Sequence, residues 1–406
     1  MVEISLPVDS TFLSEVIYEG LLRYLSHDKS FSKAFSEALE RIPKDKKLTL
    51  SGNDISMIKR VRGKENLRVG FPEQLLQLLD DRYSSEVIYE RVKSKKNYTN
   101  LLSIDFIKEL LECKGLNDVK LEGDFSLILK KSEVVIGRKE ITAPQILKVD
   151  RYTGYTSLET EFVSSQLTLY VSKEIALLFL LGIYSSFITT FRQQQQAYYY
   201  FLFFSPDEIL KLLSESSNVI RKYFLVKDAV VEKLATILGK STSNELLLLE
   251  VFLSVELQEL MDREQLDKIS LMLFKIAPEG QTYKIYEQIP ITIFRKPNFY
   301  QVVEKYFRDP QEFCRKLSDV LAPDKTIFKA LASLNAKNKF SEADNVLRAV
   351  QELYRFVILG DTQGWFGFVR ELWNCYSRLV NSSDKRERSR SKDYIEIVQK
   401  FSICLN

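Results

Sequence analysis

Apolar residues recur at helical spacing from the start of the chain. Phe12, Val16, Ile17, Leu21 and Leu25 outline one helix, and Phe31, Phe35 and Leu39 a second that Pro43 closes. Helical patterns return near 72–82, 84–93 and 103–114, the last between Ser103 as N-cap and Gly115 as terminator. From 119 to 129 the period changes to two. Val119, Leu121, Phe125, Leu127 and Leu129 share one face, and Lys120, Glu122, Asp124, Ser126 and Lys130 the other. This predicts a half-buried strand pair turning near Gly123, extended by Val134–Ile136 into a small antiparallel sheet.

The stretch from Asp150 to Glu208 organises the remainder. It holds 17 consecutive uncharged residues, Ile175 to Phe191, then four glutamines (Gln193–Gln196) and an aromatic run, Tyr198 to Phe204. Seventeen residues is the short limit of a membrane span. Gly182, Ser185, Ser186, Thr189 and Thr190 within it, and the lack of basic asymmetry around it, predict buried core instead. Ser205-Pro206-Asp207-Glu208 is a helix start: N-cap serine, proline at the first position, glutamate three residues after the cap.

Residues 206–262 read as helical, with Asn244–Met261 as one deeply buried element. Leu271–Ile276 and Tyr283–Phe294 alternate as a strand pair around Pro278-Glu279-Gly280 and return to the central sheet. Beyond Arg295-Lys296-Pro297 no strand pattern appears. Helix starts at Asp309, Asp324 and Ser341, an apolar stripe ended by Gly360, and helices at Trp365–Leu379 and Tyr394–Leu405 predict a helical bundle. The expected fold is α+β: a mixed N-terminal domain, 1–296, of small antiparallel sheets packed by helices around the apolar segment 150–208, followed by an all-helical bundle, 297–406.

Composition narrows the chemistry. With 58 basic and 55 acidic residues the net charge is only +3, so a nucleic-acid surface has to be local. The four cysteines, at 113, 314, 375 and 404, lack zinc or redox spacing and read as free thiols in a reducing cytoplasm. One histidine, His27, cannot supply a two-histidine metal site. It follows a helix end, which predicts a solvated terminal position. There is no Walker loop, GxGxxG, HExxH or GxSxG, and no signal-peptide pattern at the N-terminus. The reading is a cytoplasmic protein that is not an enzyme and takes no cofactor or metal. The competing catalytic reading is a carboxylate-metal nuclease using Asp150, Glu159 and Glu161.

Cations concentrate in two places. Residues 41–68 hold nine basic residues (Arg41, Lys44, Lys46, Lys47, Lys59, Arg60, Arg62, Lys64, Arg68) against three acids. Gly52-Asn53 between two β-prone pieces predicts a ribbon with cations at its tip. Such a ribbon can neutralise phosphates, with Asn66 as a base reader, or simply protect an edge strand. The second cluster, 384–392, carries Arg386, Arg388 and Arg390; its alternating charges predict a flexible linker. Gln193–Gln196 reads as a polar loop and the aromatic run as a core strand rather than a base-stacking surface.

The segments DRYTGYTSLE (150–159), GIYSSF (182–187) and YYYFLFFSPDE (198–208) together resemble the large subunit of archaeal type I-A CRISPR Cascade complexes. That resemblance implies a non-catalytic antiviral subunit that binds guide RNA and target DNA and helps recognise the protospacer-adjacent motif. Its partners would be the backbone and small subunits and the nuclease-helicase proteins, with no membrane. The division of labour, base pairing for most of the sequence and protein for a short motif, fits basic loops without a catalytic set. Abundant Lys, Glu, Ile and Tyr agree with a thermophilic source. The alternative is an archaeal nucleic-acid-binding or assembly protein outside CRISPR.

Overall fold

The computed structural model describes residues 2–3, 8, 11–42, 58–60, 66–94, 104–130, 133–144, 146, 168–193, 196–238, 243–279, 282–307 and 309–402. The fold is α+β. In chain order the N-terminal part contains β1 (Val2–Glu3), α1 (Phe12–Ser26), α2 (Phe31–Arg41), β2 (Ile58–Arg60), β3 (Asn66–Arg68), α3 (Phe71–Leu79), α4 (Ser85–Ser94) and α5 (Ile104–Leu111). Short strands follow: β4 (Gly123–Asp124), β5 (Leu127–Lys130), β6 (Glu133–Ile136), β7 (Ile141–Thr142) and β8 (Thr168–Val171). Then come α6 (Lys173–Ser186), β9 (Phe187–Gln193), β10 (Gln196–Phe204), α7 (Pro206–Leu212) and α8 (Ser217–Ile237). The chain continues with α9 (Asn244–Phe252), α10 (Val255–Glu264), β11 (Lys268–Glu279), β12 (Thr282–Phe294), α11 (Phe299–Phe307), α12 (Pro310–Leu321), α13 (Thr326–Ala332), α14 (Ala343–Leu359), α15 (Thr362–Leu379) and α16 (Lys385–Ser402).

Two compact units result, each assembled from two pieces of chain: 1–225 with 270–290, and 226–269 with 291–406. This differs from a single cut near Pro297. The helices from 226 to 269 group with the C-terminal bundle, and the hairpin 270–290 returns to the first unit.

The 17-residue uncharged run divides at Phe187 into the buried helix α6 and the strand β9, because Ser186 ends the helix and β-branched Ile188, Thr189 and Thr190 favour extended backbone. Among the described residues no helix is long and apolar enough to cross a membrane. β9 pairs with β10, β10 with β11, and β12 completes an antiparallel sheet of order β12-β11-β10-β9. The aromatic run occupies a middle strand: Phe201, Phe203 and Phe204 are fully buried, and Phe12 of α1 meets Phe201, Phe203 and Phe274 edge-on at 5.4–5.9 Å. Ser205 caps α7 by accepting from Glu208 N, and Glu208 in turn accepts from Ser270 N of β11, so the cap ties helix to sheet.

A second sheet has order β5-β6-β8-β7. β5–β6 and β7–β8 are antiparallel but β6–β8 is parallel, so this sheet is mixed, not purely antiparallel. The strand pair expected to turn near Gly123 is instead β5–β6, with Lys130 opposite Glu133, while Gly123 lies in β4 and pairs with Val2 of β1. Val119 and Leu121 are buried outside any strand, their period-two burial coming from an extended loop.

α1 and α6 cross with their backbones almost in contact. A Cβ on Gly20 would overlap the Leu178 carbonyl, and one on Gly182 the Val16 carbonyl. Glycine is required at both positions for the space it leaves free. Arg23, fully buried on α1, donates Nε to Ser185 Oγ (2.9 Å) and Nη1 to Glu37 (3.0 Å), while Ser185 donates to Glu19 (2.5 Å). The guanidinium also lies 3.8 Å from the centre of the Phe224 ring. His27 belongs to this network. It is 8% exposed, with Nε2 2.9 Å from Glu37, so the expected solvated histidine is instead a buried one that holds the Glu37 carboxyl below its ordinary pKa.

In the second unit, Asp309 caps α12 as predicted, accepting from Gln311 N and Glu312 N. The helix expected over 244–261 breaks between Phe252 and Val255, where Ser254 directs its hydroxyl to Glu256. Phe307, Phe313, Phe356 and Phe401 surround Trp365, all with ring centres within 5.7 Å of it. Gly360, at φ +70°, ends α14 in the left-handed conformation that glycine tolerates.

The glycine crossing yields a sign reversal. On an isolated helix, Gly→Ala stabilises by about 1 kcal/mol. Here Gly20→Ala or Gly182→Ala should destabilise the first unit by about 3 kcal/mol or more, at the upper end of overpacking, as measured by urea denaturation.

Candidate nucleic-acid interface

The described part of the basic segment between α2 and α3 is a two-stranded antiparallel ribbon. Ile58 lies opposite Arg68, Lys59 opposite Leu67, and Arg60 opposite Asn66. The expected ribbon is present in its described strands, and the turn expected at Gly52-Asn53 lies outside the described residues. Lys44, Lys46, Lys47, Arg62 and Lys64 lie outside the described residues, as do Asp150, Glu159 and Glu161.

The base of the ribbon is anchored. β3 runs into Val69, which is fully buried against Ile88, with Tyr83 packed on the pair. Gln74, in the first turn of α3, donates to the carbonyls of Val69 (3.2 Å) and Gly70 (3.4 Å) and accepts from Thr142 N of β7 (3.3 Å). One side chain thus ties the ribbon's exit to the mixed sheet. No pattern in the sequence marks Gln74 for this role, since its partners are backbone groups and the one in the sheet, Thr142, lies 68 residues away.

Ion pairs stiffen the helices behind. Arg82 forks onto Asp80 (2.7–3.0 Å) and reaches the Glu112 carbonyl, while Lys114 N donates to the same carboxylate (2.8 Å). Arg82's hydrogen bond, above all, holds Asp80 well below the usual carboxylate range. Arg91 forks onto Glu109, which also accepts from Tyr83 Oη (2.7 Å). Burial raises the Tyr83 hydroxyl, and it pushes the Cys113 thiol up to about 11, which suits an inert core cysteine.

Not every cation of the basic segments is available to a polyanion. Arg41 donates to the carbonyls of Tyr184 (2.6 Å) and Phe187 (3.2 Å), satisfying the end of α6. In the C-terminal run, the linker expected at 384–392 is instead the first two turns of α16. Asp384 provides the start, accepting from Arg386 N (2.7 Å). Arg390 forks onto the fully buried Glu342 (2.6 and 3.1 Å), lies 4.1 Å over the Phe340 ring, and shares Glu342 with Tyr394. Arg388 folds back onto the carbonyls of Ser382 and Ser383. Arg386 is exposed.

Of the glutamine run, only Gln196 has a described side chain. Gln196 donates to the Pro278 carbonyl (3.3 Å) and Tyr286 Oη (3.0 Å), and Tyr198 meets Tyr286 edge-on. Among the described residues, no group of three or more His, Cys, Asp or Glu side chains could hold a metal ion. The outer face of α15, where Phe366 and Trp373 are exposed, is a surface that the charge and motif patterns do not mark.

The chain is 49% identical over 417 residues to an uncharacterized protein of Archaeoglobus fulgidus, a match covering 99% of each chain. No family profile matches it. No solved structure matches it either.

Arg390→Ala, which strands the buried Glu342 carboxylate, should cost about 3–5 kcal/mol in the second unit by chemical denaturation. Arg388→Ala should stay within about 0.5 kcal/mol. A pH dependence follows for the same helix. Hydrogen bonds from Ser382 and Ser341 lower Glu387, and Lys400 lowers Asp319. Both carboxylates therefore stabilise the docking of α16 above their unfolded pKa values, and that contribution is lost as pH falls through the depressed folded values. In a Trp373→Phe background, emission from Trp365, whose ring is 5.3 Å from Phe401 of α16, should report loosening below about pH 4.

Proposed function

We propose that this chain, which belongs to the same family as the uncharacterized Archaeoglobus fulgidus protein, is a non-catalytic nucleic-acid-binding subunit of an RNA-guided DNA surveillance assembly of the type I-A CRISPR class. The observation that carries the reading is the anchored basic ribbon. Arg60 pairs with Asn66 in β2–β3, Lys59 and Arg68 lie in the same two strands, and Gln74 and Val69 fix its base. An anchored ribbon with cations and an amide suits a duplex groove: cations neutralise phosphates, and an amide can bond a base edge. The resemblance to Cascade large subunits supplies the narrower identity. Two of its three segments, 182–187 and 198–208, lie in the α6–β9–β10–α7 core of the first unit.

On this reading the ribbon contacts the short duplex motif or the adjoining guide RNA, while base pairing reads the rest of the target. Backbone and small subunits, and a nuclease-helicase, supply assembly and cleavage. Effective concentration within the assembly makes up for modest affinity of the isolated chain.

The test is purification of the tagged chain from its native host with sequencing of bound RNA. The expected outcome is short repeat–spacer RNA together with other CRISPR-associated subunits. The chain alone, or with unrelated RNA, would refute the CRISPR assignment and leave a general nucleic-acid-binding protein. In the purified assembly, Lys59→Glu, Arg60→Glu and Arg68→Glu should each weaken DNA binding. Neutralising each position to Ala should lower the slope of log K against log salt by about 1. Unchanged slopes would remove the ribbon from the interface.

A further inference from the structure

α15 carries two apolar seams, and the second unit fills only one. Trp365, Phe368, Leu372, Cys375 and Leu379 follow a heptad rhythm and are all buried within the bundle. Phe366, Val369, Trp373 and Tyr376 repeat the same rhythm one residue later, on the outward side. There Phe366 is 66% exposed and Trp373 50%, while Val369 and Tyr376 are half-buried and the Trp373 and Tyr376 rings lie 5.2 Å apart. Leu359, seven residues before Phe366 at the end of α14, is also 66% exposed. A helix apolar on two sides normally has neighbours on both.

Charge and spacing restrict what can cover this seam. Its exposed flanks carry Arg370, Asn374, Ser377 and Arg378. The only acid in α15, Glu371, is buried and accepts from Asn345 (3.0 Å). A second copy would bring these arginines against their own images. A single nucleic-acid strand stacks bases about 3.4 Å apart, whereas Phe366 and Trp373 are separated by two helical turns, about 10.5 Å. That separation is one heptad of a packed helix, and anchors seven residues apart mark helix-in-groove recognition. Exposed Trp, Phe and Arg are also the residue types that dominate protein interfaces.

We propose that the outer seam of α15 docks an amphipathic helix of another protein whose apolar heptad stripe is flanked by Asp and Glu. This surface is independent of the ribbon and of the nucleic-acid reading.

The test places a photoreactive side chain, Trp373→p-benzoylphenylalanine, in the full chain within its native assembly. After irradiation, the cross-linked peptide should come from a different protein and show apolar heptad spacing with acidic flanks. Synthesised alone, that peptide should bind the purified chain, and Trp373→Ala or Phe366→Ala should weaken it at least tenfold without moving the melting temperature. Arg370→Glu with Arg378→Glu should abolish binding, and a peptide with lysines at the acidic positions should restore it. Cross-links to a second copy or to nucleic acid would overturn the proposal. So would cross-linking no greater than at an exposed control position such as Ser383, or a peptide indifferent to Trp373→Ala.

Discussion

The first unit depends on two glycines set against two carbonyls. Because Gly20 and Gly182 have no side chains, α1 and α6 approach until their backbones touch. That approach brings Ser185 between Glu19 and Arg23 and seals all three from water. Buried charge is tolerated only where it is paired and hydrogen-bonded, and the network extends through Glu37 to His27 to meet that condition. From the far side, Arg41 satisfies the carbonyls that α6 leaves open, so helix gives way to strand within one residue at Phe187. The central sheet is therefore held in place by a close helix contact that polar groups complete.

The same requirement sorts the arginines. Arg23, Arg41, Arg91 and Arg390 lie beside carboxylates or open helix ends, where a planar fork of donors satisfies several acceptors at once. They are structural cations although the sequence places Arg41 and Arg390 inside its two basic runs. Counting charge along the chain overstates both runs as binding surfaces. The ribbon remains a candidate because its exit, at Val69 and Gly70, is tied to the core.

What the sequence discloses is what local physics decides. The caps at Ser205 and Asp309 are local chemistry, and both act as expected. The alternation over 271–294 is preserved in a strand pair because two faces of one sheet impose it. Errors arise where burial comes from distant partners. His27 follows a helix end, yet it is buried beside Glu37 of α2. Residues 119–122 alternate like a strand but are buried as a loop. The charged run at 384–392 reads as a linker, since no apolar stripe marks it; Asp384 starts the helix, and Glu342, 48 residues earlier, recruits Arg390. On α15 both seams were present in the sequence, but the inner one, centred on Trp365, was enough to account for the helix, and the outer one went unread.

The interleaving of the two units constrains the order in which the protein can be made. The first unit's hairpin, 270–290, leaves the ribosome only after 226–269, which belong to the second unit. α1 and α6 can meet early, but the sheet edge facing β10 stays open while more than forty further residues are synthesised. During that interval β10, with its buried phenylalanines, presents an unpaired strand edge of the kind that recruits other chains. Expression of fragments ending before residue 268, where β11 begins, would make that transient state permanent. The first unit is thus a product of nearly three quarters of the chain, though it looks like an N-terminal domain.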